Sequence, residues 1–508
     1  MNRRNFILSS LLAATLPIQA TPIHRPKFPK SPFTLGVASG DPTPEGFVLW
    51  TRLALEPLEK GGGMPPEPVP VTWELALDSG MKDVIRKNST SAIPGLAHSV
   101  HVDIAGLKSD REYWYRFRSG DYFSRTGKTK TLPAETSDSK KIRFVTTSCQ
   151  NYTHGYFVAY DHIIADQPDF IMHLGDYIYD TSFGEDFRKH DRDESPESLE
   201  HFRQRHALYK REIHLQNAHA RIPFFSMIDN HDAVEDLTEG NMAKRAAAYQ
   251  AWYEHMPVRG YPFAGANQFD LHRNIKLGNL LQINFLDTRQ FRSKRDVCNT
   301  GIGSSLGFGN YRERCQDLFE ENRTILGKDQ TDWLVNKLRS SQSIWNVLAS
   351  PGPFLPFRIR NKNKELGYIG AWDAYPENRK EIIRAINQSE GHPLILSGDM
   401  HSFWALDSSF DKSLDVGTPL TEFVSSSISA NWPEPLSKPV TVSLKSNNQV
   451  KFYNGEKRGY FLHEVHKDTW QATAKAIVST KKRNSESFAL AKFIVSRGES
   501  GFRTTKEI

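Results

Sequence analysis

This chain of 508 residues contains very little cysteine, 3 in all, and an odd number leaves at least one thiol outside any intramolecular bridge. Long apolar runs are missing too. Beyond the N-terminus no stretch is long enough to cross a bilayer, so no transmembrane segment is expected in the mature chain. Charge of one sign is not in excess: 65 Lys and Arg against 59 Asp and Glu give a net charge of +6, spread along the chain. That balance argues against specific nucleic-acid binding and is weakly compatible with anionic substrates. No internal repeat is present. What remains is a hydrophobic content of 38%, as in soluble globular proteins, in a chain too long for one ordinary core. Two domains are therefore expected.

Residues 1–20 read as an export signal, with Arg3-Arg4 ahead of an apolar stretch over 6–18 and a cleavage position after Ala20. The run Arg3-Arg4-Asn5-Phe6-Ile7-Leu8 resembles a twin-arginine signal. That implies the twin-arginine export machinery as a partner and a periplasmic or secreted destination. The route carries already folded proteins, so a metal could be inserted before export.

From 33 to 131 short alternating strands recur between Gly and Pro turns, for example 46–50, 71–77 and 113–117. This spacing predicts an all-β sandwich of the immunoglobulin or fibronectin type over 21–137. Gly106-Leu107 ahead of Tyr113 and Tyr115 is similar to the corner tyrosine of fibronectin modules. The polar segment 132–141 then marks a domain boundary, after which strands and helices alternate. The second domain, 138–508, is expected to be α/β with a β-rich C-terminal extension over 423–502.

The informative stretch is 143–180. A strand (143–147), Ser148-Cys149-Gln150, a helix (156–165), a strand (170–174) and Gly175-Asp176-Tyr177-Ile178-Tyr179-Asp180 make a βαβ unit. Parallel pairing would set Cys149 beside Asp176 at the carboxyl ends of adjacent strands. Two anions that close require positive charge, and a metal cation supplies it. Tyr179 could reach the same ion as a phenolate. Later apolar runs end the same way: 224–228 runs into Asp229-Asn230-His231-Asp232, 280–286 into Asp287-Thr288-Arg289, and 393–397 into Gly398-Asp399-Met400-His401. In open α/β sheets that edge is where ligands bind. Helices are expected over 199–220, 241–255 and 329–340. Cys298 and Cys315 are close enough in sequence for a local disulfide worth about 3 kcal/mol, which leaves Cys149 for coordination.

The ordered set resembles the binuclear metallophosphatase superfamily. The matching blocks are Gly175-Asp176-x-x-Tyr179, Asp229-Asn230-His231-Asp232 and Gly398-Asp399-Met400-His401. The first block departs, with Ser148-Cys149-Gln150. That departure, the β-rich N-terminal half, and the strings Asp287-Thr288-Arg289-Gln290, Glu422-Phe423-Val424-Ser425-Ser426-Ser427, Ala38-Ser39-Gly40-Asp41-Pro42 and Trp372-Asp373-Ala374-Tyr375 are similar to the PhoD-type alkaline phosphatases. The resemblance implies a metallophosphatase-type β-sandwich flanked by helices. It implies an exported phosphoesterase cleaving mono- or diesters with water or hydroxide activated by two metals.

The same resemblance, with ligand softness, implies Fe(III) held by Cys149, Asp176, Tyr179 and His401. Asp176 would bridge to a second divalent cation on Asn230 and Asp399, Ca(II) first, with Mg, Mn or Zn as alternatives. His231 would contact the phosphoryl oxygen or protonate the leaving group, with Asp232 as its orienting partner and Arg289 as a phosphate contact. Substrates would be small phosphoesters, with phospholipids or polymeric phosphodiesters as the near alternative. Two readings from other classes stay open: a thiol hydrolase using Cys149, and a surface-binding protein whose metal is structural.

Overall fold

The structure, a computed structural model, describes residues 26–233, 241–260, 271–295, 297–298, 310–361, 364–410 and 419–507. The export segment 1–20 lies outside them.

Aromatic and β-branched runs that are apolar on both faces form strands covered from both sides. Ile142–Thr147, Phe170–His173 and Phe224–Ser226 pair in parallel, with Phe144 opposite Phe170 and Ile171 opposite Phe224. They form the centre of a ten-stranded sheet. On one flank it continues antiparallel through Arg458–Val465, Thr469–Ile477, Ser487–Ser496 and Arg503–Glu507. A seven-stranded sheet stacks on it, in the order Arg273–Leu277, Leu281–Phe285, Trp345–Ser350, His392–Ser397, Thr421–Val424, Phe403–Asp407 and Val450–Asn454. Phe144, Met172, Phe225 and Phe461 from the first sheet meet Ile283, Phe285, Val347 and Phe423 from the second in one apolar core.

Helices cover the two outer faces. Ala159–Asp166, Leu199–Lys210, Ile213–His219 and Met242–His255 bury Tyr160, Phe202, Leu215 and Trp252 against the first sheet. Gly327–Arg339 and Pro376–Asn387 bury Leu334, Leu338, Ile382 and Ile386 against the second. The layers are therefore helix, sheet, sheet, helix, which is the α/β sandwich the sequence predicts for this half. Expected helix and strand limits shift by a few residues, and the predicted 199–220 helix breaks into two at Arg211-Glu212, where the Glu212 side chain caps the second piece.

The N-terminal half is β throughout, but it does not stand apart. Its sheet of Val84–Ala92, Val69–Ala76, Glu112–Ser119, Tyr122–Phe123 and Gly127–Lys130 packs on Val37–Thr43, Gly46–Arg52 and Ser99–Ile104. Those last three strands are the other flank of the ten-stranded sheet, joined where Gly40 pairs in parallel with Phe224. The ten-stranded sheet thus takes strands from both sides of the turn-rich segment 132–141.

Several of the strings outside the metal blocks turn out to be structural ties. Asp41 accepts from the Arg259 backbone and pairs with Arg273 at 3.3 Å. Asp373 binds Arg358 and Arg379, and Trp372 donates to Ser350. The buried Glu422 carboxylate takes the N–H groups of Phe354 and Leu355 and the Ser397 hydroxyl.

Cys298 and Cys315 are bonded, and Cys149 is a buried free thiol. Native protein should accordingly show no thiol reactive to a bulky disulfide reagent, and unfolding without reductant should release one. Two or more equivalents would contradict this pairing.

Candidate metal centre

The parallel pairing that builds the first sheet also builds the site. Beyond the strand ends the backbones continue side by side: the Cys149 N–H donates to Gly175 O and the Gln150 N–H to Asp176 O, both at 3.1 Å. Four of the expected ligands sit in the left-handed region, Cys149 at φ 57°, Asp176 at 55°, Asp399 at 69° and His401 at 48°. Each such residue costs about 1 kcal/mol or more, strain of a kind that collects where side chains are aimed at a ligand. Gly175 is required next to them, because a Cβ there would lie 2.4 Å from the Asp229 Cβ.

The second sheet is tied to the same edge by 425–430. Ser425 donates to Ser397 O at 2.7 Å, Ile428 to Ser148 O at 2.9 Å and Ala430 to Cys149 O at 3.2 Å. The serine-rich string therefore crosses from the Asp399–His401 loop to the Cys149 loop and sets their spacing.

Ligand atoms of Cys149, Asp176 and His401 lie within 4.8 Å of one another. The Tyr179 hydroxyl completes the group, 3.1 Å from Asp176 Oδ2 and 2.8 Å from His401 Nε2. His401 Nδ1 donates to Asn431 O at 2.9 Å, which fixes the tautomer that leaves the Nε2 lone pair facing inward. Burial pushes the Cys149 thiol well up, with Asp176 and Asp399 adding to it. Burial and then Asp176 do the same to Tyr179. Burial lowers His401 to about 3, a neutral ligand. A thiol, a phenol and a carboxyl group crowded beside a neutral imidazole form an anionic donor set awaiting a cation, and a bound ion inverts these shifts. The residues present fit a bound metal cation.

A second group of carboxylates, Asp176, Asp229 and Asp399, also lies within 4.8 Å. Asp176 belongs to both. Burial drives the Asp229 carboxyl upward against the opposing Arg289, and Asp176 and Asp399 push it further. Asp229 was not among the residues singled out from sequence, although it opens the Asp229-Asn230-His231-Asp232 block. The Asn230 amide oxygen borders this group and lies 3.4 Å from Arg289 Nη2. Arg289 itself is buried and ion-paired with Asp229. The Asp399 carboxylate accepts from the Tyr368 hydroxyl at 2.6 Å, a neighbour that no motif marked.

His231 occupies the mouth of the centre. Its ring stacks on Tyr179, with centroids 4.2 Å apart, and its N–H donates to Asp176 Oδ1 at 3.1 Å. The carboxylate facing its Nδ1 is Asp180, at 2.7 Å, and not Asp232. Asp232 instead accepts the N–H groups of Ile178 and Asp229 inside the loop, at 3.0 and 3.1 Å. Burial opposes protonation of His231, yet Asp176 and then Asp180 raise it to about 9. The charges that favour its protonated form are thus those of a carboxylate in the donor group and of Asp180.

These groups open into a cavity of about 260 Å³ lined by Asp176, Asn230, His231, Tyr368, Asp399 and His401, with Phe183 and Trp432 at its rim. A buried donor group, a more exposed carboxylate group and an imidazole at one cavity are an arrangement that can hold metal and receive a phosphoryl group.

The family model described as PhoD-like phosphatase matches residues 144–474, and that of the PhoD-like phosphatase N-terminal domain matches 19–133. Over 500 residues the chain is 37% identical to alkaline phosphatase D of Bacillus subtilis (strain 168), covering 94% of this chain and 83% of that one. The solved structure of PhoD superposes with a TM-score of 0.86 at 35% identity, over 95% of this chain and 94% of that one. A purple acid phosphatase from yellow lupin (Lupinus luteus) seeds shares the fold at 11% identity and a TM-score of 0.55, over 91% of this chain and 74% of that one.

Proposed function

Because this chain belongs to the PhoD-like phosphatases, we propose that it hydrolyses phosphoesters at the centre built on Asp176. It is a metal-dependent phosphoric ester hydrolase of the alkaline phosphatase D kind. The observation that carries the mechanism is the sharing of Asp176 by two donor groups that reach one cavity through Asp176, Asp399 and His401. Cys149, Asp176, Tyr179 and His401 would hold Fe(III), and Asp176, Asp399 and Asn230, with Asp229 beside them, a divalent cation such as Ca(II). When bound, such a pair supplies Lewis-acid charge that clamps the phosphoryl oxygens and lowers the pKa of an attacking water.

The chain's own groups do the rest. His231 donates a proton to the departing oxygen, and Asp180 holds its Nδ1 so that Nε2 can face the substrate. Arg289 fixes the position of Asp229 and reaches the Asn230 amide. Asp180→Asn is expected to lower kcat about tenfold with KM within about twofold, since it disturbs orientation and leaves the binding groups intact. A rise in KM alone would assign Asp180 to binding.

Removing the Tyr179 phenol tests the iron. Purified without chelator, the protein should be coloured by phenolate-to-iron charge transfer, and Tyr179→Phe should weaken or shift the band while iron stays bound. A colourless, iron-free and fully active preparation excludes iron. Burial and anionic neighbours raise the Cys149 thiol, the opposite of what an activated nucleophile needs, which weighs against the thiol-hydrolase reading.

The Cys298–Cys315 bond favours an oxidising compartment, in keeping with the twin-arginine-like start and a periplasmic or secreted enzyme. For the N-terminal half, the Tyr113 hydroxyl bonds back to the N–H and C=O of Lys108, at 3.0 and 3.2 Å. That bond supports an immunoglobulin- or fibronectin-like sandwich over 21–137.

A further inference from the structure

The reaction cavity is too small for most of an organic ester. At about 260 Å³ it accommodates a phosphoryl group and a small alcohol, whereas sites for larger ligands run to several hundred Å³. It does not end blindly, however. Phe183, Trp432 and Pro433 line it and also line a neighbouring groove of about 1070 Å³, which continues past Tyr453, Asn454 and Lys457. Three shared wall residues make the groove the continuation of the cavity.

Phe183, a wall of the groove, lines the reaction cavity together with His231. His231 stacks on Tyr179, Tyr179 leans on Phe183 at 6.2 Å, and Phe183 stacks on His401 at 5.7 Å. The proton donor and the groove's first wall therefore lie on the same side of the centre.

Trp432 is held firmly at that junction. Its indole N–H donates to Ser437 Oγ at 3.0 Å, and its ring meets Tyr453 edge-on at 5.9 Å. One residue earlier, Asn431 accepts from His401 Nδ1 and donates to His154 Nδ1 at 3.0 Å. The platform is thus tied through one peptide to His401, and Trp432 itself is only partly buried.

We propose that this groove is the leaving-group subsite and that Trp432 is its specificity-determining residue, stacking on a ring carried by the alcohol of the phosphoester. The assignment rests on the phosphoesterase reading above. Phenyl phosphate and 4-biphenylyl phosphate have leaving groups of similar acidity, and only the second ring of the latter reaches past the cavity. The wild-type metal-loaded enzyme should show a KM about tenfold lower for the biphenylyl ester, a factor within reach of one aromatic contact plus the area it buries. Trp432→Ala should bring the KM for the biphenylyl ester to that for the phenyl ester, and Trp432→Phe should restore part of the difference.

Equal KM values in the wild type, or a Trp432→Ala loss shared by both esters, overturns the proposal. Binding of biphenyl-4-ol alone, followed by calorimetry in wild type and Trp432→Ala, separates the two readings. Trp432-dependent binding in a protein that hydrolyses neither ester would sink the phosphoesterase reading and keep the subsite. Trp432-independent binding would sink the subsite.

Discussion

Replacing Asp176 by asparagine is expected to lower phosphoester hydrolysis by about 10,000-fold or more and to lower metal content at both positions together. Among the described residues, Asp176 is the one that the soft donor group and the carboxylate group have in common. Its Oδ2 faces the Tyr179 hydroxyl at 3.1 Å and the Cys149 sulfur at 3.5 Å, and its Oδ1 accepts from the His231 backbone. An amide keeps one oxygen and the volume but removes the charge that would offset the two proposed cations. Cys149→Ser is the control, expected to weaken only the soft position. The measurement is metal content by elemental analysis alongside initial rates, with thermal unfolding to confirm a folded protein. If Asp176→Asn kept both metals and activity within tenfold, the shared-ligand centre would be the wrong description of this site.

The second large effect is expected at His231. His231→Ala should leave both metals bound and cost about 100- to 10,000-fold in rate on an ester with a poor leaving group. The loss should shrink for an aryl phosphate with a good leaving group, which departs with little protonation. The side chain meets Asp180 and the Tyr179 ring, while only its backbone N–H reaches Asp176, so on the proposed reading its removal deletes a proton donor and leaves the donor groups in place. Asn230→Ala beside it should show the reverse pattern, with reduced metal content and a loss indifferent to the leaving group. Stoichiometric metal loss in His231→Ala, or full activity on the poor leaving group, would reject the acid role.

The two variants separate what one short segment does. Asn230 and His231 are sequence neighbours, yet the amide borders the carboxylate group while the imidazole is turned toward Asp180 and the cavity.

Much of this was legible before any coordinates. Apolar runs of strand length, each followed by a residue able to coordinate, gave the parallel pairing of 142–147 with 170–173 and the edge where Cys149, Asp176, Tyr179, Asn230, His231, Asp399 and His401 gather. Periodicity and strand-end chemistry are local properties, so they survive in the sequence. The partners of these residues do not. Asp180 rather than Asp232 faces His231, because the loop turns Asp232 inward to cap the N–H groups of Ile178 and Asp229. Both acids are equally close in sequence to a motif residue, and only the backbone path distinguishes them. Arg289 was placed near phosphate by its position after a strand, while its guanidinium is ion-paired with Asp229. Tyr368 reaches Asp399 from the small sheet of Tyr311–Glu313, Lys364–Tyr368 and Arg358–Asn361, which carries no motif at all.

The sequence by itself determined which side chains could bind metal and that strand ends would bring them to one edge, since hydrophobic patterning fixes pairing and pairing fixes the edge. Only the tertiary structure decided which carboxylate serves which partner, that the N-terminal strands extend the central sheet through Gly40 and Phe224, and that the cavity continues past Trp432 into a groove. Those features depend on side-chain direction and on contacts between segments distant in the chain, and neither leaves a periodic trace along it.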